Sequence, residues 1–271
     1  MKNIVKLGKI KEEKRMLLEG KTILVMGIRN KWSIAWGVAM SAYENGAKVI
    51  FTHHPTEKED KIQELIGEIP DAKTYPCDVA TDEDIEKCLK TIKEEQGQID
   101  GILHSIAHAN TEDLRNDFIA TSREGFLHAS DISAYSLVAV SRIAKEIGLL
   151  KPEASIVALT YFGSEKVVEG YNVMGVAKAA LETSIQYLAK DLGKGKMRIN
   201  AISAGPIKTL SAKGIKDFGN ILTVVEEKAP LHQNVTTKQV GDVASFLFSN
   251  MSSAVTGEVI HVDNGFSIIG V

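Results

Sequence analysis

The chain has 271 residues, of which 44% are hydrophobic and 25% are charged, a composition that excludes disordered, collagen-like and coiled-coil proteins. Its 32 Lys and Arg nearly balance 35 Asp and Glu, so the net charge of −3 provides no positive field for nucleic acid. No apolar run reaches the roughly 18 residues of a membrane span, and the first residues lack a signal-peptide core. We therefore expect a cytoplasmic protein with no nucleic-acid or membrane partner. Cys77 and Cys88 are too few for a disulfide scaffold and are predicted to be free thiols.

The first 15 residues are rich in charge and lack regular apolar spacing. Such runs are typical of exposed chain ends, so residues 1–15 are predicted to form a loose segment, with a functional basic arm as the alternative. Globular patterning begins at Met16, and no linker composition interrupts the chain after it. A single domain over residues 16–271 is predicted.

Short runs rich in β-branched residues alternate with helical patterns along this domain. Strands are predicted at residues 22–27, 48–52, 72–77, 99–105, 154–160, 198–203 and 258–262, and helices at residues 33–45, 56–67, 82–96, 133–147, 171–192 and 238–248. The alternation is typical of βαβ units, and the continuous apolar character of the strands indicates helices on both faces. The prediction is a Rossmann-type α/β fold with a doubly wound, parallel, seven-stranded sheet.

The connection from the first strand to the first helix has features of an anion site. Gly27 permits a tight turn, Ser33 can cap the helix, and free N–H groups near Ile34 can face a pyrophosphate. Gly37 is predicted to let the helix approach the sheet. The middle glycine of the usual dinucleotide motif is missing, so an ordinary strand-to-helix connection is an equally open interpretation.

Two further strand ends carry residues suited to a dinucleotide. The Asp78 carboxylate can accept from an adenine amine while Val79 lies against the ring, although Asp78 can also be a helix N-cap. Ser105, Ile106 and Ala107 follow strand four, where small residues let the backbone pass close to a ribose and nicotinamide. Ligands of parallel α/β sheets bind at these carboxyl ends.

The end of the second strand informs the choice of cofactor. It reads Phe51-Thr52-His53-His54, with neither the acidic residue that usually binds a ribose 2′-hydroxyl nor an arginine for a 2′-phosphate. A mostly neutral histidine is a poor phosphate partner, so NADH is favoured over NADPH, with His54 assigned to the cofactor site. A metal at His53 and His54 is less favoured because no third ligand lies at a suitable spacing, and no metal is predicted.

Tyr171 and Lys178 are seven residues apart in the predicted helix 171–192. Nearly two helical turns would place both side chains on one face, about 10 Å apart along the axis, where a bound cofactor could contact both. Apolar residues of the same helix form a stripe that is predicted to face the sheet. The alternative for Lys178 is an ordinary solvated lysine.

Several motifs together carry a family resemblance. They are Gly27-x5-Ser33-Ile34-Ala35-x-Gly37, Cys77-Asp78-Val79, His104-Ser105-Ile106-Ala107, Tyr161-x9-Tyr171-x6-Lys178, Ser203-Ala204-Gly205-Pro206-Ile207-x-Thr209 and the closing segment Gly257 to Phe266. From about Met16 onward the chain resembles the enoyl-(acyl-carrier-protein) reductases of bacterial type II fatty-acid synthesis, which are divergent short-chain dehydrogenases/reductases. Tyr-x6-Lys is the most specific element, since the wider superfamily uses Tyr-x3-Lys.

The resemblance implies a reduction of trans-2-enoyl thioesters on acyl carrier protein by NAD(P)H, the last step of the elongation cycle, and the end of the second strand favours NADH. It implies Tyr171 and Lys178 as the catalytic pair, with Lys178 also holding the cofactor and Tyr161 lining the acyl site. The implied additional contacts are Ile207 and Thr209 to the cofactor, and Ala109, Phe218 and Ile221 to the substrate. The resemblance and the apolar C-terminal run also imply a homotetramer.

Residues 207–222 are predicted to form a substrate lid. Lysines at 208, 213 and 216 alternate there with apolar residues, which could cover an acyl chain while the lysines meet an acidic carrier protein. The alternative is an ordinary surface helix. For the whole chain, the competing functions are a carbonyl or alcohol oxidoreductase on the same fold and a non-catalytic dinucleotide-sensing protein.

Overall fold

The structure, a computed structural model, describes residues 16–209 and 218–270. Its strands form one parallel seven-stranded sheet in the order β3-β2-β1-β4-β5-β6-β7. The strands are β1 (Thr22–Met26), β2 (Lys48–His53), β3 (Lys73–Pro76), β4 (Ile99–His104), β5 (Leu150–Thr160), β6 (Arg198–Ala204) and β7 (Val259–Val262). This sheet confirms the predicted Rossmann-type fold.

Helices connect the strands along the described chain. They are α1 (Ile34–Glu44), α2 (Glu59–Ile66), α3 (Asp82–Gln96), α4 (Thr111–Arg115), α5 (Arg123–Ser130), α6 (Ser136–Glu146), α7 (Val173–Gly193), α8 (Phe218–Lys228) and α9 (Thr237–Phe248). Within residues 16–209 and 218–270, no helix is both long enough and apolar enough to cross a membrane.

The strand order places the site. β1 pairs with β2 on one side and with β4 on the other, so that Met26 lies level with Thr52 and His104. The chain therefore reverses its direction of progress across the sheet between β1 and β4. In doubly wound folds, the crevice at such a reversal, outside the carboxyl ends of the strands, is the ligand site.

An apolar layer covers each face of the sheet. Leu24 and Ile102 belong to the layer that α3, α6 and α7 cover, whereas Val25 and Leu103 belong to the layer under α1, α2 and α9. Successive residues of the central strands are thus buried on opposite faces, which explains their nearly continuous apolar runs.

One helix prediction was too short. The structure continues the helix predicted at 133–147 back through a π-helical turn at Asp131–Tyr135 into α5. Gly125, a poor helix former, weakened the signal in α5, but a Cβ there would lie 1.9 Å from the Asp113 Oδ2 atom. The glycine is therefore required by packing against α4, which spacing along the chain does not reveal.

Two other expectations change. The predicted lid, 207–222, belongs to α8 from Phe218 onward, while its residues 210–217 lie outside the described residues. Gly37 does not serve contact between α1 and the sheet, because a Cβ there would meet the backbone oxygen of Thr237 at 2.5 Å. A Cβ on Gly241 would meet the Gly37 oxygen at the same distance, so the two glycines let α1 and α9 pack closely.

Candidate active site

Gly27 forms the turn at the end of β1. Its φ of +85° is in the left-handed region, and a Cβ there would lie 2.5 Å from the Ser105 carbonyl oxygen. The turn after β1 therefore approaches the loop after β4 as closely as a glycine allows. This cradle of bare backbone agrees with the predicted role of Gly27 beside a dinucleotide.

The N-terminus of α1 follows this turn. Ser33 is the N-cap, and its Oγ accepts from the Trp36 N–H at 3.1 Å while donating to the Asn30 carbonyl at 2.7 Å. Ile34 is the first helical residue, where an α-helix leaves its N–H groups without partners inside the helix. The residues present fit a pyrophosphate, and their role in binding one stays a prediction.

Asp78 and His54 lie together at the ends of β3 and β2. The His54 Nε2 is 3.7 Å from the Asp78 Oδ2, and the other carboxylate oxygen accepts from the Ala80 N–H at 2.9 Å. Thr81 caps α3, so the alternative of Asp78 as that N-cap is wrong. Val79 is buried beside them, and the group remains a candidate adenine site.

Arg29 is a cation near this region that the sequence reasoning missed. Its Nε lies 2.7 Å from the Glu57 Oε1, so the two charges following β1 and β2 are paired. An arginine for a 2′-phosphate was expected directly after β2, whereas Arg29 follows β1. The pairing of the two strands brings the earlier connection to the same edge.

His104 ends β4 and is almost completely buried. Ser136 donates its hydroxyl hydrogen to the Ile132 carbonyl at 2.7 Å, so at 2.8 Å it accepts from the His104 Nε2–H. Burial lowers the pKa of His104 to about 3, which keeps the ring neutral. Its Nδ1 is then a buried acceptor with no hydrogen-bond partner among the described residues. Sequence reasoning quoted His104 only within a motif.

The Tyr-x6-Lys pair is arranged differently from the prediction. α7 begins at Val173, so Tyr171 projects from the preceding turn and not from the same helical face as Lys178. Asn172 separates Tyr171 from the helix with a φ of +42°, and its side-chain amide donates to the Asn116 carbonyl at 2.7 Å. A tertiary contact thus holds this unusual backbone conformation, which spacing alone does not indicate.

Tyr161 and Tyr171 pack edge to face, with ring centroids 4.9 Å apart. Gly163 lies in the short 3-10 turn after Tyr161, and a Cβ on it would lie 2.4 Å from the Tyr171 Cδ1. A Cβ on Gly175 would in turn meet the Gly163 oxygen at 2.6 Å. The turn after β5 therefore rests directly on the start of α7, and this packing holds the two tyrosine rings against each other.

Burial sets the protonation states of these groups. It raises the pKa of Tyr161 to about 12 and raises the pKa of Tyr171 further, so both phenols are hydrogen-bond donors at neutral pH. Burial lowers the pKa of Lys178 to about 8, partly opposed by the negative charge of Glu182. Lys178 is 5% exposed, and its Nζ donates to the Leu159 carbonyl at 2.8 Å, so the solvated-lysine alternative is wrong.

Three predicted substrate residues, Ala109, Phe218 and Ile221, lie in the loop after β4 and at the start of α8. Ala109 is partly buried and follows His108, whose N–H donates to the Ser133 Oγ at 3.0 Å. Phe218 is the first residue of α8, and Ile221 is partly buried on it. Of the remaining cofactor candidates, Ser105 and Ile106 are half-buried and Ala107 is exposed, while Ile207 and Thr209 are half-buried after β6.

Comparison with known proteins agrees with this geometry. Residues 27–267 match the family described as enoyl-(acyl carrier protein) reductase. The enoyl-(acyl-carrier-protein) reductase (NADH) of Bacillus cereus is 52% identical over 256 residues, covering 94% of this chain and 99% of that protein. The corresponding NADPH reductase of Staphylococcus aureus strain MRSA252 is 52% identical over 255 residues, covering 93% and 98%. A crystal structure of the Bacillus cereus reductase with NADP⁺ and indole naphthyridinone has a TM-score of 0.91 at 52% identity, covering 94% and 99%.

This chain belongs to the enoyl-(acyl-carrier-protein) reductase family. The predicted resemblance is therefore confirmed. A nicotinamide cofactor is named for each relative, with NADH for the Bacillus cereus enzyme as predicted here and NADPH for the Staphylococcus aureus enzyme. The roles of single residues remain predictions.

Two further side chains beside the candidate site were not predicted from the sequence. Glu182 accepts hydrogen bonds from Thr160 and Ser164, and Asn172 anchors the turn before α7. Glu182 follows Lys178 by four residues, a spacing that places both on one side of a helix and could have drawn attention to it. No comparable signal marks Asn172, because its partners lie in α4 and just beyond it.

Proposed function

We propose that this reductase reduces the 2,3 double bond of trans-2-enoyl thioesters carried by an acyl carrier protein, with NADH, as the last step of the fatty-acid elongation cycle. The observation that carries the proposal is the pair of half-buried, protonated phenols of Tyr161 and Tyr171 after β5, together with the buried Lys178, which bonds to the Leu159 carbonyl of the same strand. Such an arrangement suits a substrate whose oxygen gains negative charge during the reaction.

The cofactor would lie along the carboxyl ends of β1 to β6. Gly27, Ser33 and Ile34 would hold the pyrophosphate, and Asp78 and Val79, with His54 beside them, would hold the adenine. The nicotinamide half would be held by Lys178 together with Ser105, Ile106, Ala107, Ile207 and Thr209. When bound, NADH supplies a hydride to C3 of the enoyl group.

The residues of this chain then act on the substrate oxygen. Hydride addition at C3 would move negative charge onto the thioester oxygen, to which the Tyr171 hydroxyl would donate a hydrogen bond, and a proton from solvent added at C2 would complete the reduction. Donors aimed at developing charge are worth about 10²- to 10³-fold in rate. Lys178, charged below about pH 8, favours the same charge and holds the nicotinamide ribose. Tyr161 lines the acyl site and holds the Tyr171 ring.

The preference for NADH has local support. His53 is buried, with its Nδ1 2.8 Å from the Thr74 Oγ1, so its ring is committed within the sheet. His54 bonds Thr56 at 2.7 Å and faces Asp78. Arg29 is already paired with Glu57. Because these groups are already paired, they are poor partners for a 2′-phosphate.

The lid and its carrier-protein contact belong to the same proposal. Residues 207–222 would close over the acyl chain, with apolar residues such as Ile221 inward. The exposed Lys208, together with Lys213 and Lys216, would meet the acidic carrier protein. An unchanged KM for carrier-linked substrate in Lys213→Glu/Lys216→Glu would contradict the electrostatic role.

The proposed assembly is a cytoplasmic homotetramer. The outer face of α6 and α7 is apolar and contains Val176 and Tyr187, which are 38% and 71% exposed, and Ile268 near the C-terminus is 78% exposed. Apolar patches of this kind are typical of subunit contacts. Phe266 of the C-terminal segment also packs on Phe162 of the same subunit, a contact that a monomer would make as well. A light-scattering mass near that of one 29.5 kDa chain would contradict assembly.

One assay separates the candidate functions. Loss of NADH absorbance is followed with a crotonyl thioester, and repeated with NADPH and with simple ketones. The proposal expects turnover of the thioester with NADH and none of the ketones. Turnover of ketones alone would indicate a carbonyl reductase, and NADH binding without any turnover would indicate a dinucleotide-sensing protein.

A further inference from the structure

Glu182 joins two hydroxyl groups on either side of Tyr161. Its Oε1 accepts from the Thr160 Oγ1 at 2.5 Å and from the Ser164 Oγ at 2.6 Å. Thr160 is the last residue of β5, and Ser164 ends the 3-10 turn that follows Tyr161. A single carboxylate oxygen therefore fixes both ends of the five-residue segment that carries Tyr161. Hydrogen bonds to an ionised acceptor are the stronger kind.

The segment held by Glu182 also supports Tyr171. The close contact of Gly163 with the Tyr171 ring means that movement of the segment moves both phenols. Lys178 and Glu182 are one helical turn apart on α7 and bind consecutive residues of β5, Leu159 through its carbonyl and Thr160 through its hydroxyl. The end of β5 is thereby fastened to α7 beside the site.

Glu182 has a second effect, on the charge of Lys178. Burial lowers the pKa of Lys178, and the negative charge of Glu182 raises it in opposition. The other titratable groups around this site are neutral at working pH: His104 on β4 has a pKa of about 3, and burial raises the pKa values of Tyr161 and Tyr171. Glu182 is thus the charged group that favours the cationic form of Lys178.

We propose that Glu182 is a positioning residue of the reductase site, which fixes Tyr161 against Tyr171 and preserves the positive charge of Lys178. The inference rests on the proposed function, since it acts through the proposed catalytic groups. It assigns two separable effects to one carboxylate, the first geometric through Thr160 and Ser164 and the second electrostatic through Lys178.

The test uses variants of the full chain that separate the two effects. Glu182→Gln keeps an oxygen acceptor but removes the charge, and Glu182→Ala removes both. Thr160→Val/Ser164→Ala removes the donors and keeps the charge. Glu86→Gln is the matched control, since it neutralises an exposed acid on α3 whose ion-pair partner is the exposed Lys90. For each variant, kcat and KM for crotonyl thioester are measured between pH 6 and 10, and NADH affinity is measured by fluorescence titration.

Each variant has its own expected signature. In Glu182→Gln, kcat at pH 6.5 stays within about twofold of wild type, while the fall of kcat and of NADH affinity at alkaline pH moves to lower pH. The Thr160→Val/Ser164→Ala variant lowers kcat/KM about 10- to 100-fold with the alkaline fall unmoved, because a misplaced group costs rate at every pH. Glu182→Ala shows both effects.

An alkaline fall at the wild-type position in Glu182→Gln would overturn the electrostatic effect, and unchanged kcat/KM in the hydroxyl variant would overturn the geometric one. If Glu182→Ala does not fold, as judged by circular dichroism, the other two variants still decide. Tyr171→Phe and Lys178→Met are measured in parallel. Unchanged turnover in those two variants would refute the proposed site itself. If those two lose turnover while the Glu182 variants behave like Glu86→Gln, this inference alone is refuted.

Discussion

The two halves of the site are built in different ways. The half proposed to bind the cofactor, at the ends of β1 to β4, is mainly backbone: the Gly27 turn, the capped start of α1 and the loop after β4. The half at β5 and α7 depends on side chains that distant segments hold, as Glu182 and Asn172 show. Backbone that is shaped locally binds a ligand that many proteins share, whereas the reacting groups need tertiary contacts to hold them in place.

The largest expected effect is in the second half. Tyr171→Phe should lower kcat about 10²- to 10³-fold with a modest change in NADH affinity, because the lost hydroxyl serves charge that develops only during reaction. Steady-state kinetics and NADH titration measure the two. Tyr43→Phe, at an exposed tyrosine of α1, is the control. Equal turnover in the two variants would contradict the assignment of Tyr171.

Lys178→Met tests a residue that belongs to both halves. We expect at least tenfold weaker NADH binding and a large loss of kcat, because the ribose partner and the cation are both removed. The stability of the fold should change in the opposite direction, so that Lys178→Met is more stable than wild type at pH 7. The folded pKa of about 8 lies below the ordinary value of 10.5, so burying the charged form opposes folding at pH 7.

This destabilisation decreases as the pH rises from about 8 towards 10.5, because in that range the native chain binds fewer protons than the unfolded chain. The Tm of Lys178→Met should therefore exceed that of wild type at pH 7, and the difference should narrow at pH 10. Calorimetry at both pH values measures it. A gap that widens at alkaline pH would contradict the sign.

Two glycine substitutions sharpen the comparison between the halves. Gly163→Ala places a methyl against Tyr171, so kcat should fall about tenfold with NADH affinity retained. Gly27→Ala, at a positive φ and against the Ser105 oxygen, should instead weaken NADH binding. Gly193→Ala is the control because no atom lies within 4 Å of the added carbon. If both site variants lose kcat and NADH affinity alike, the halves are not separable.

The smallest expected effect concerns cofactor choice. Glu57→Gln leaves Arg29 without its carboxylate at the edge where a 2′-phosphate would lie. Because an exposed pair is worth little, the KM for NADPH should fall only about two- to fivefold, with the KM for NADH nearly unchanged. Glu68→Gln, which frees Lys31 instead, is the control. A greater gain for NADH than for NADPH would contradict the role of Arg29.

The sequence by itself determined the family, the seven strands and six of the helices, but not α4, α5 or α8. Strands buried on both faces leave continuous apolar runs, and caps such as Ser33 and turns such as Gly27 act through neighbouring residues, so local patterns predicted them. The predicted helix at 82–96 coincides with α3 for the same reason, since Thr81 and Gly97 mark its ends. Even Tyr-x6-Lys was recognised through its spacing.

Only the tertiary structure decided how those residues meet. Tyr171 lies outside α7 because Asn172 adopts a positive φ. A hydrogen bond from the Asn172 amide to the carbonyl of Asn116, far away along the chain, holds this conformation. Gly37 packs on Thr237, not on the sheet, and Gly125 leaves room on α5 for the side chain of Asp113 from α4. The state of Lys178 likewise follows from burial and from Glu182. Contacts between distant residues leave no periodic signal in the sequence, so packing and electrostatics together, and not spacing, determined the geometry of this site.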